Sequence, residues 1–320
     1  MSNIITDIID YRLPIGGVIR QFPYIIGFKT TKYCFLQCAH CCENAGPDQA
    51  KTFIPVQSIF NILKSAKQDP LFTNSVIFTG GEIFSSYFYS NEKYVPDLLS
   101  FAAKNKIDTD IKTNAVWAKS KYFDAIMSDI ENVVANNPEF LFQISLSIDR
   151  FHHNCIENNV RLISALTKMR GKYVLNISSF TDDSEMCSAL INALRRESIS
   201  VTPGKILSNN KSFDAYMVGQ DVLMFFKHSA QVRAAGRGIH LDNAKKLDMD
   251  WLSFMSPDHQ VIMAFDVSGR VILGESGPDK ISARWLKSNG NVRTLADVRH
   301  DLIRNARYKE FVARIRGCIQ

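Results

Sequence analysis

The sequence predicts an α/β fold built on a parallel sheet. Runs of strand type recur six times between residues 24 and 207, and they alternate with longer stretches whose apolar residues fall at helical spacing. No internal repeat, low-complexity stretch or long linker interrupts that rhythm. With 46% hydrophobic and 22% charged residues in 320, the chain can bury a sizeable core, which excludes a disordered protein.

Taken in order, Tyr24 to Thr30 reads as the first strand and leads straight into a cysteine-rich loop. Pro55 to Lys67 reads as a helix, with Pro at its start and Val56, Ile59, Phe60, Leu63 and Ala66 on one face. Ser75 to Thr79 is the second strand and ends at Gly80-Gly81-Glu82. A helix over Tyr94–Asn105, a strand over Asp108–Thr113 and a helix over Tyr122–Val134 follow. Phe140 to Ile148 alternates Phe142, Ile144, Leu146 and Ile148 against Gln143, Ser145 and Ser147, the period of a half-buried strand. Helix 155–170, strand 173–179, helix 184–197 and strand 199–207 complete the series. Beyond Asn209 the rhythm changes, and 211–255 reads as mixed and mostly helical, broken at Gly236-Arg237-Gly238. Gln260–Phe265 and Arg270–Leu273 read as a hairpin across Asp266-Val267-Ser268-Gly269. Leu295–Arg316 reads as a basic amphipathic helix. A boundary near residue 210 divides the chain into 1–210 and 211–320.

The charges, 38 Lys+Arg against 32 Asp+Glu, are interspersed along the chain and fit an ordinary solvated surface, so no nucleic-acid partner is expected. No run approaches the roughly 18 apolar residues of a membrane span. The first eleven residues carry Asp7 and Asp10 and no basic segment, unlike a signal peptide. These features predict a cytoplasmic protein away from membranes. Seven cysteines are an odd number at low density, which argues against a disulfide framework. Cys34, Cys38, Cys41 and Cys42 crowd one loop, while Cys155, Cys187 and Cys318 are scattered.

Cys34-Phe35-Leu36-Gln37-Cys38-Ala39-His40-Cys41 has the spacing C-x3-C-x2-C. Three thiolates fit a [4Fe–4S] cube with one iron left open to a further ligand. A tetrahedral zinc site completed by His40 or Cys42 is the alternative, although both are chain neighbours of Cys41 and adjacent residues rarely reach one metal together. On spacing alone both stay open.

With that loop, the sequence resembles the radical S-adenosylmethionine (SAM) enzymes. Gly80-Gly81-Glu82 resembles the family's Gly-Gly-Glu motif, with Ile83 where Pro is common. Thr113-Asn114-Ala115 resembles its Thr-Asn-Gly element. Ser145-Leu146-Ser147-Ile148-Asp149 resembles the strand-four segment near the ribose and methionine carboxylate. The resemblance spans residues 24–150 and implies a partial (β/α)6 TIM-type barrel over 1–210, with motifs at carboxyl strand ends, where ligands of parallel sheets collect. It implies metal ligation by Cys34, Cys38 and Cys41, and SAM binding by Gly80, Gly81, Glu82, Thr113, Asn114, Ser145, Ser147, Asp149 and Asn176. Glu82 would pair with the methionine ammonium, and the two glycines would admit a close backbone approach. It also implies a [4Fe–4S] cluster that cleaves SAM reductively to a 5′-deoxyadenosyl radical, and an electron donor such as flavodoxin or ferredoxin. Ser178, His152 and His153 are further polar residues placed near the barrel mouth.

Residues 260–320 resemble, more weakly, the SPASM/Twitch extension behind many such barrels, with Gly236-Arg237-Gly238 similar to a Gly-Arg-Ala element before its hairpin. Leu273-Gly274-Glu275 stands where a cysteine is usual, and only Cys318 is a candidate auxiliary ligand, so this small α+β extension is expected to lack a full auxiliary site. That favours redox-neutral chemistry such as epimerisation, with Cys318, Cys155, Cys187 or Cys42 as the thiol that returns hydrogen. The extension points to a ribosomally made peptide as substrate, and the basic residues of 299–316 would dock an acidic leader. Only about 23 residues precede the first strand, too few for a separate leader-binding domain. A small-molecule substrate (a sugar, nucleoside or amino-acid derivative) is the alternative, and a non-enzymatic metal-binding protein is the alternative of another class.

Overall fold

The structure is a computed structural model that describes residues 24–89, 91–152, 156–180, 184–208, 211–229, 237, 240–241, 261–273, 282–285, 293, 298 and 301. Its elements run β1 (Tyr24–Lys29), α1 (Val56–Ala66), β2 (Phe72–Thr79), α2 (Tyr94–Lys104), β3 (Asp108–Thr113), α3 (Phe123–Ala135), β4 (Phe142–Ser147), α4 (Ile156–Leu166), β5 (Tyr173–Phe180) and α5 (Ser184–Arg196). Six further strands follow: β6 (Val201–Ser208), β7 (Lys211–Val218), β8 (Val222–Ser229), β9 (Val261–Asp266), β10 (Arg270–Leu273) and β11 (Ser282–Arg284). All belong to one open sheet of order β11-β10-β9-β1-β2-β3-β4-β5-β8-β7-β6.

Strands β9, β1, β2, β3, β4, β5 and β8 pair in parallel, and the β1-to-β5 units are joined through helices, giving the expected partial barrel. Each helix turns one apolar stripe inward, as its sequence period requires. In α1 the buried set is Ile59, Ile62, Leu63 and Ala66, and in α3 it includes Phe123, Ile126, Met127 and Ile130. β1 is buried along its whole length, as a strand covered on both faces must be. Phe28 stacks between Phe78 of β2 and Phe265 of β9, with ring centroids 5.9 and 5.4 Å away, and ties the three strands together.

Two expectations are corrected. Residues 211–229, read as mostly helical, form the antiparallel hairpin β7–β8, which turns at Gly219 with φ +64°. The place beside β5, expected for the sixth barrel strand, is taken by β8, while β6 pairs with β7 at the outer edge. The sheet therefore runs on past residue 210. The hairpin over 261–273 forms as expected. Its turn is fixed by Asp266, whose Oδ1 accepts the backbone N–H groups of Ser268 and Arg270, and Gly269 turns at φ +82°. Apart from Val298 and Asp301, the helix expected over 295–316 lies outside the described residues, as do Cys155, His153 and Cys318.

Strand register decides which residues share the concave face. Lys29 stands beside Thr79, Lys112 beside Ser145, Ser147 beside Ser178, and Ser178 beside Lys227. Because side chains alternate along a strand, Asp110 and Lys112, then Gln143, Ser145 and Ser147, then Asn176 and Ser178, face the same way in successive rungs.

Candidate metal and cofactor site

A cavity of about 250 Å³ opens at the carboxyl ends of the parallel strands, and Cys34, Cys38 and Cys41 all line it. Its floor comes from Gly27 and Lys29 of β1, Ile77 and Thr79 of β2, Lys112 and Thr113 of β3, Ser147 of β4 and Ala264 of β9.

The cysteine loop is seated by backbone pairing on the end of β2. Thr30 donates its N–H to the Thr79 carbonyl (2.8 Å), Gly81 to Thr31 (2.7 Å) and Glu82 to Tyr33 (2.8 Å). This is why two glycines stand there. Gly80 turns at φ +120°, and a Cβ on it would lie 2.5 Å from the Thr31 carbonyl oxygen. A Cβ on Gly81 would overlap the Tyr33 carbonyl. Both glycines line the cavity, but the close approach they admit is that of the loop itself.

Glu82 is fully buried and is not among the residues that line the cavity. Its Oε2 accepts the Thr113 hydroxyl (2.8 Å) and the Asn114 N–H (3.0 Å), and its Oε1 accepts the Phe84 N–H (3.2 Å). It thus fixes the end of β3 to the end of β2. The Thr113 hydroxyl also accepts from Trp117 Nε1 (2.9 Å) and the Ala115 N–H (3.2 Å). Ala115 takes the left-handed conformation, φ +58°, at the position where the resembled motif has Gly. Asn114 is held by the Val116 N–H on Oδ1 and donates Nδ2 to the Cys34 sulfur (3.3 Å).

Burial pushes the Glu82 carboxyl up to about 7, against the three hydrogen bonds that favour its charged form. The folded state then binds the proton more tightly than the unfolded chain, so the stabilisation is complete below about pH 4.5 and is lost as pH rises through about 7. For the metal-free protein, stability is expected to drop by on the order of 3 kcal/mol between those values. Glu82→Gln, which keeps an oxygen for Thr113 and Asn114, should flatten that slope, as urea midpoints at pH 5 and pH 8 will show.

Asp149 and Ser147 stand at the end of β4. Asp149 Oδ1 accepts the N–H groups of Phe151 (2.9 Å) and His152 (3.1 Å), and its Oδ2 lies 2.7 Å from His152 Nδ1. Burial alone would raise the Asp149 carboxyl, but the His152 contacts outweigh it and hold the group below its ordinary value. His40, between Cys38 and Cys41, packs against Phe151 and His152 at 4.8 Å. Burial and the adjacent His152 lower His40 to about 4, so its ring is neutral at pH 7. His40, Asp149 and His152 bring a ligand atom each within 4.8 Å of one another, a separation that can hold a cation. The Asp149 carboxylate, however, is already engaged by three N–H groups of its own turn.

Ser145 and Asn176 lie one rung below the cavity and do not line it. Ser145 donates to Asp110 (2.8 Å) and accepts from Asn176 Nδ2 (3.2 Å), and the Asn176 Oδ1 is buried with no protein partner. The structure thus brings Cys34, Cys38, Cys41, Gly80, Gly81, Thr113, Asn114 and Ser147 to one cavity, and sets Glu82, Ser145, Asp149 and Asn176 behind it. Lys29, paired with Glu43 at 2.6 Å, and Lys112 line the cavity and were missed by sequence reasoning. Their position at the last inward place of β1 and β3 was the available signal.

The donor set suits a thiolate-bound metal centre. Burial first, then the Glu82 charge, raises the Cys34 thiol to about 12, and burial with Cys41 raises Cys38 to about 11. The Cys34 and Cys38 thiols therefore resist ionisation until a cation joins them. N–H groups of Leu36 (3.5 Å) and Asn114 already point at Cys34.

No protein-family model matches the sequence, and no curated protein matches it. Among solved structures, the chain is similar to Streptococcus suis SuiB bound to S-adenosylmethionine, at 14% identity and a TM-score of 0.38, over 82% of this chain and 63% of that one. It is also similar to native anSMEcpe with bound AdoMet (12% identity, TM-score 0.46, 90% of this chain and 82% of that one). The form of anSMEcpe with AdoMet and the Cp18Cys peptide gives 12% identity and a TM-score of 0.45, over 90% and 81%. The chain spans less than two thirds of the length of SuiB. The residues of the cavity, not these likenesses, carry the functional reading.

Proposed function

We propose that the protein is a radical SAM enzyme, with a [4Fe–4S] cluster on Cys34, Cys38 and Cys41 and SAM in the adjoining cavity. The observation that carries the reading is the convergence of those three cysteines on one cavity at the carboxyl end of the barrel. A cluster held by Cys34, Cys38 and Cys41 would supply one electron for the reductive cleavage of SAM, the source of the hydrogen-abstracting power used on substrate.

The chain's own residues bind, orient and shield. Asn114 Nδ2 and the Leu36 N–H hold the Cys34 sulfur by hydrogen bonds. Gly80 and Gly81 keep the loop against β2, and Glu82 keeps Thr113 and Asn114 at the rim through two hydrogen bonds on one oxygen. Lys29, held by Glu43, and Lys112 place two ammonium groups on the floor, each able to donate a hydrogen bond to a carboxylate-bearing ligand. His152 presents its ring to the cavity with Nδ1 against Asp149, so a proton on Nδ1 is held by the carboxylate. Leu36, Ala45 and Ala264 add apolar surface to the wall.

For the substrate, we infer a ribosomally made peptide altered without net oxidation. The support is the β9–β10 hairpin, which follows the extension's pattern, pairs with β1 and places Ala264 in the cavity wall. Of the thiols considered for returning hydrogen, Cys42 lines the cavity, whereas Cys187 is buried on α5 beside Ser179.

Anaerobic reconstitution with iron and sulfide tests the class. About four irons per chain are expected, together with release of 5′-deoxyadenosine from SAM under strong reductant. Zinc in place of iron, with no release, overturns the reading. Peptide product formed in D2O should gain one deuteron for redox-neutral chemistry. Loss of two hydrogens would instead mark oxidation.

A further inference from the structure

Arg237 is nearly two hundred residues from the cysteine loop in sequence, yet it makes three hydrogen bonds to that loop. Its backbone N–H donates to the Cys41 carbonyl (3.0 Å), its Nε to the Cys38 carbonyl (2.9 Å) and its Nη2 to the Ala45 carbonyl (2.6 Å). The first two acceptors belong to two of the three cysteines. The third lies on the returning leg of the loop, where Gly46 is bonded to Lys32 and Cys34. A planar guanidinium reaches two carbonyls at once, which a lysine ammonium on a flexible stem does not reproduce. Arg237 is also one of the residues that line the cavity shared by the three cysteines.

We propose that Arg237 is a positioning residue for the metal-binding loop. It pins the loop closed at Cys38, Cys41 and Ala45, and its fixed positive charge favours the reduced form of the centre held there. The proposal rests on the cluster reading above for its second half. The first half, closure of the loop, stands on the hydrogen bonds alone and is testable without metal.

The experiment compares wild type, Arg237→Lys and Arg237→Gln. In metal-free protein, alkylation by iodoacetamide is followed at each thiol by mass spectrometry. Arg237→Gln is expected to speed labelling of Cys38 and Cys41 several-fold and to leave Cys187, buried on α5, unchanged. In reconstituted protein, iron loss to a chelator should be about 10–100-fold faster in Arg237→Gln, the usual cost of losing an outer-shell partner. Its cluster midpoint potential should fall. Arg237→Lys should recover the potential while still losing iron faster than wild type. Equal labelling at Cys38 and Cys41 in all three proteins overturns the clamp, and so does faster labelling of Cys187, which would make Arg237 a residue of general stability. An unchanged potential in Arg237→Gln overturns the electrostatic half. Failure of wild type to take up iron counts against the cluster reading, and the alkylation result still decides the clamp.

Discussion

Replacing Cys34, Cys38 and Cys41 together by Ala is expected to abolish both iron uptake and 5′-deoxyadenosine release, a loss well beyond the ~100-fold that outer-shell changes produce. Cys34, Cys38 and Cys41 line one cavity, and among the described cysteines only Cys42 joins them there, so no second set of three thiols is present among the described residues. The substitution should leave the apo fold intact. Cys34 and Cys38 are buried, but each Ala removes only a sulfur, and the loop is held by main-chain bonds to Thr79, Thr31 and Tyr33. Iron analysis and far-UV circular dichroism on the same samples check both halves. Single replacement of Cys42 should leave iron at about four per chain, and loss of iron there would make Cys42 a fourth protein ligand and close the open iron position that the reading requires.

Gly81→Ala should be the most damaging small substitution near the site. The new methyl group would meet the Tyr33 main chain, which cannot move without breaking the hydrogen bond from Glu82 to that same carbonyl. Destabilisation of at least about 4 kcal/mol is expected, the range in which a named steric cause is required. Gly46→Ala is the control. Its Cβ also comes within 2.5 Å of an atom, but that atom is the Asp48 carboxylate oxygen, the free end of a side chain that can turn aside. Urea denaturation of the metal-free proteins should show a large fall in midpoint for Gly81→Ala and a small one for Gly46→Ala. Equal effects would mean that the glycine pair does not govern the seating of the loop.

The parallel strands were legible because each is an apolar or alternating run bounded by turn residues. The hairpin over 211–229 was not. Its signal was the alternation of Phe213, Ala215 and Met217 and of Leu223 and Phe225 around Gly219-Gln220-Asp221, and its length and position after the last expected barrel strand masked it. The site shows a similar division. Motif residues could be assigned to strand ends, but which of them face a ligand depends on packing between ends. Glu82 is an example: a carboxylate after two glycines reads as a ligand contact, and the structure encloses it beneath Thr113 and Asn114. Gly80 and Gly81 read from the sequence as positions that admit a ligand, and the group that comes close to them in the structure is the chain's own loop, at Thr31 and Tyr33. Arg237 was visible only as part of a break in the pattern, since nothing local relates it to a loop so far back in the chain.

The placement of β1 has a consequence for how the chain is assembled. β1 is fully buried between β2 and β9, and β9 begins roughly 230 residues further along, a separation that makes the pairing slow to form. Until it forms, Tyr-Ile-Ile-Gly-Phe-Lys presents one open edge rich in β-branched and aromatic residues, the kind of surface on which chains self-associate. A chain ended before residue 261 should therefore emerge with its first strand unsealed and be prone to aggregation, and supplying the 261–273 hairpin as a separate peptide should relieve it.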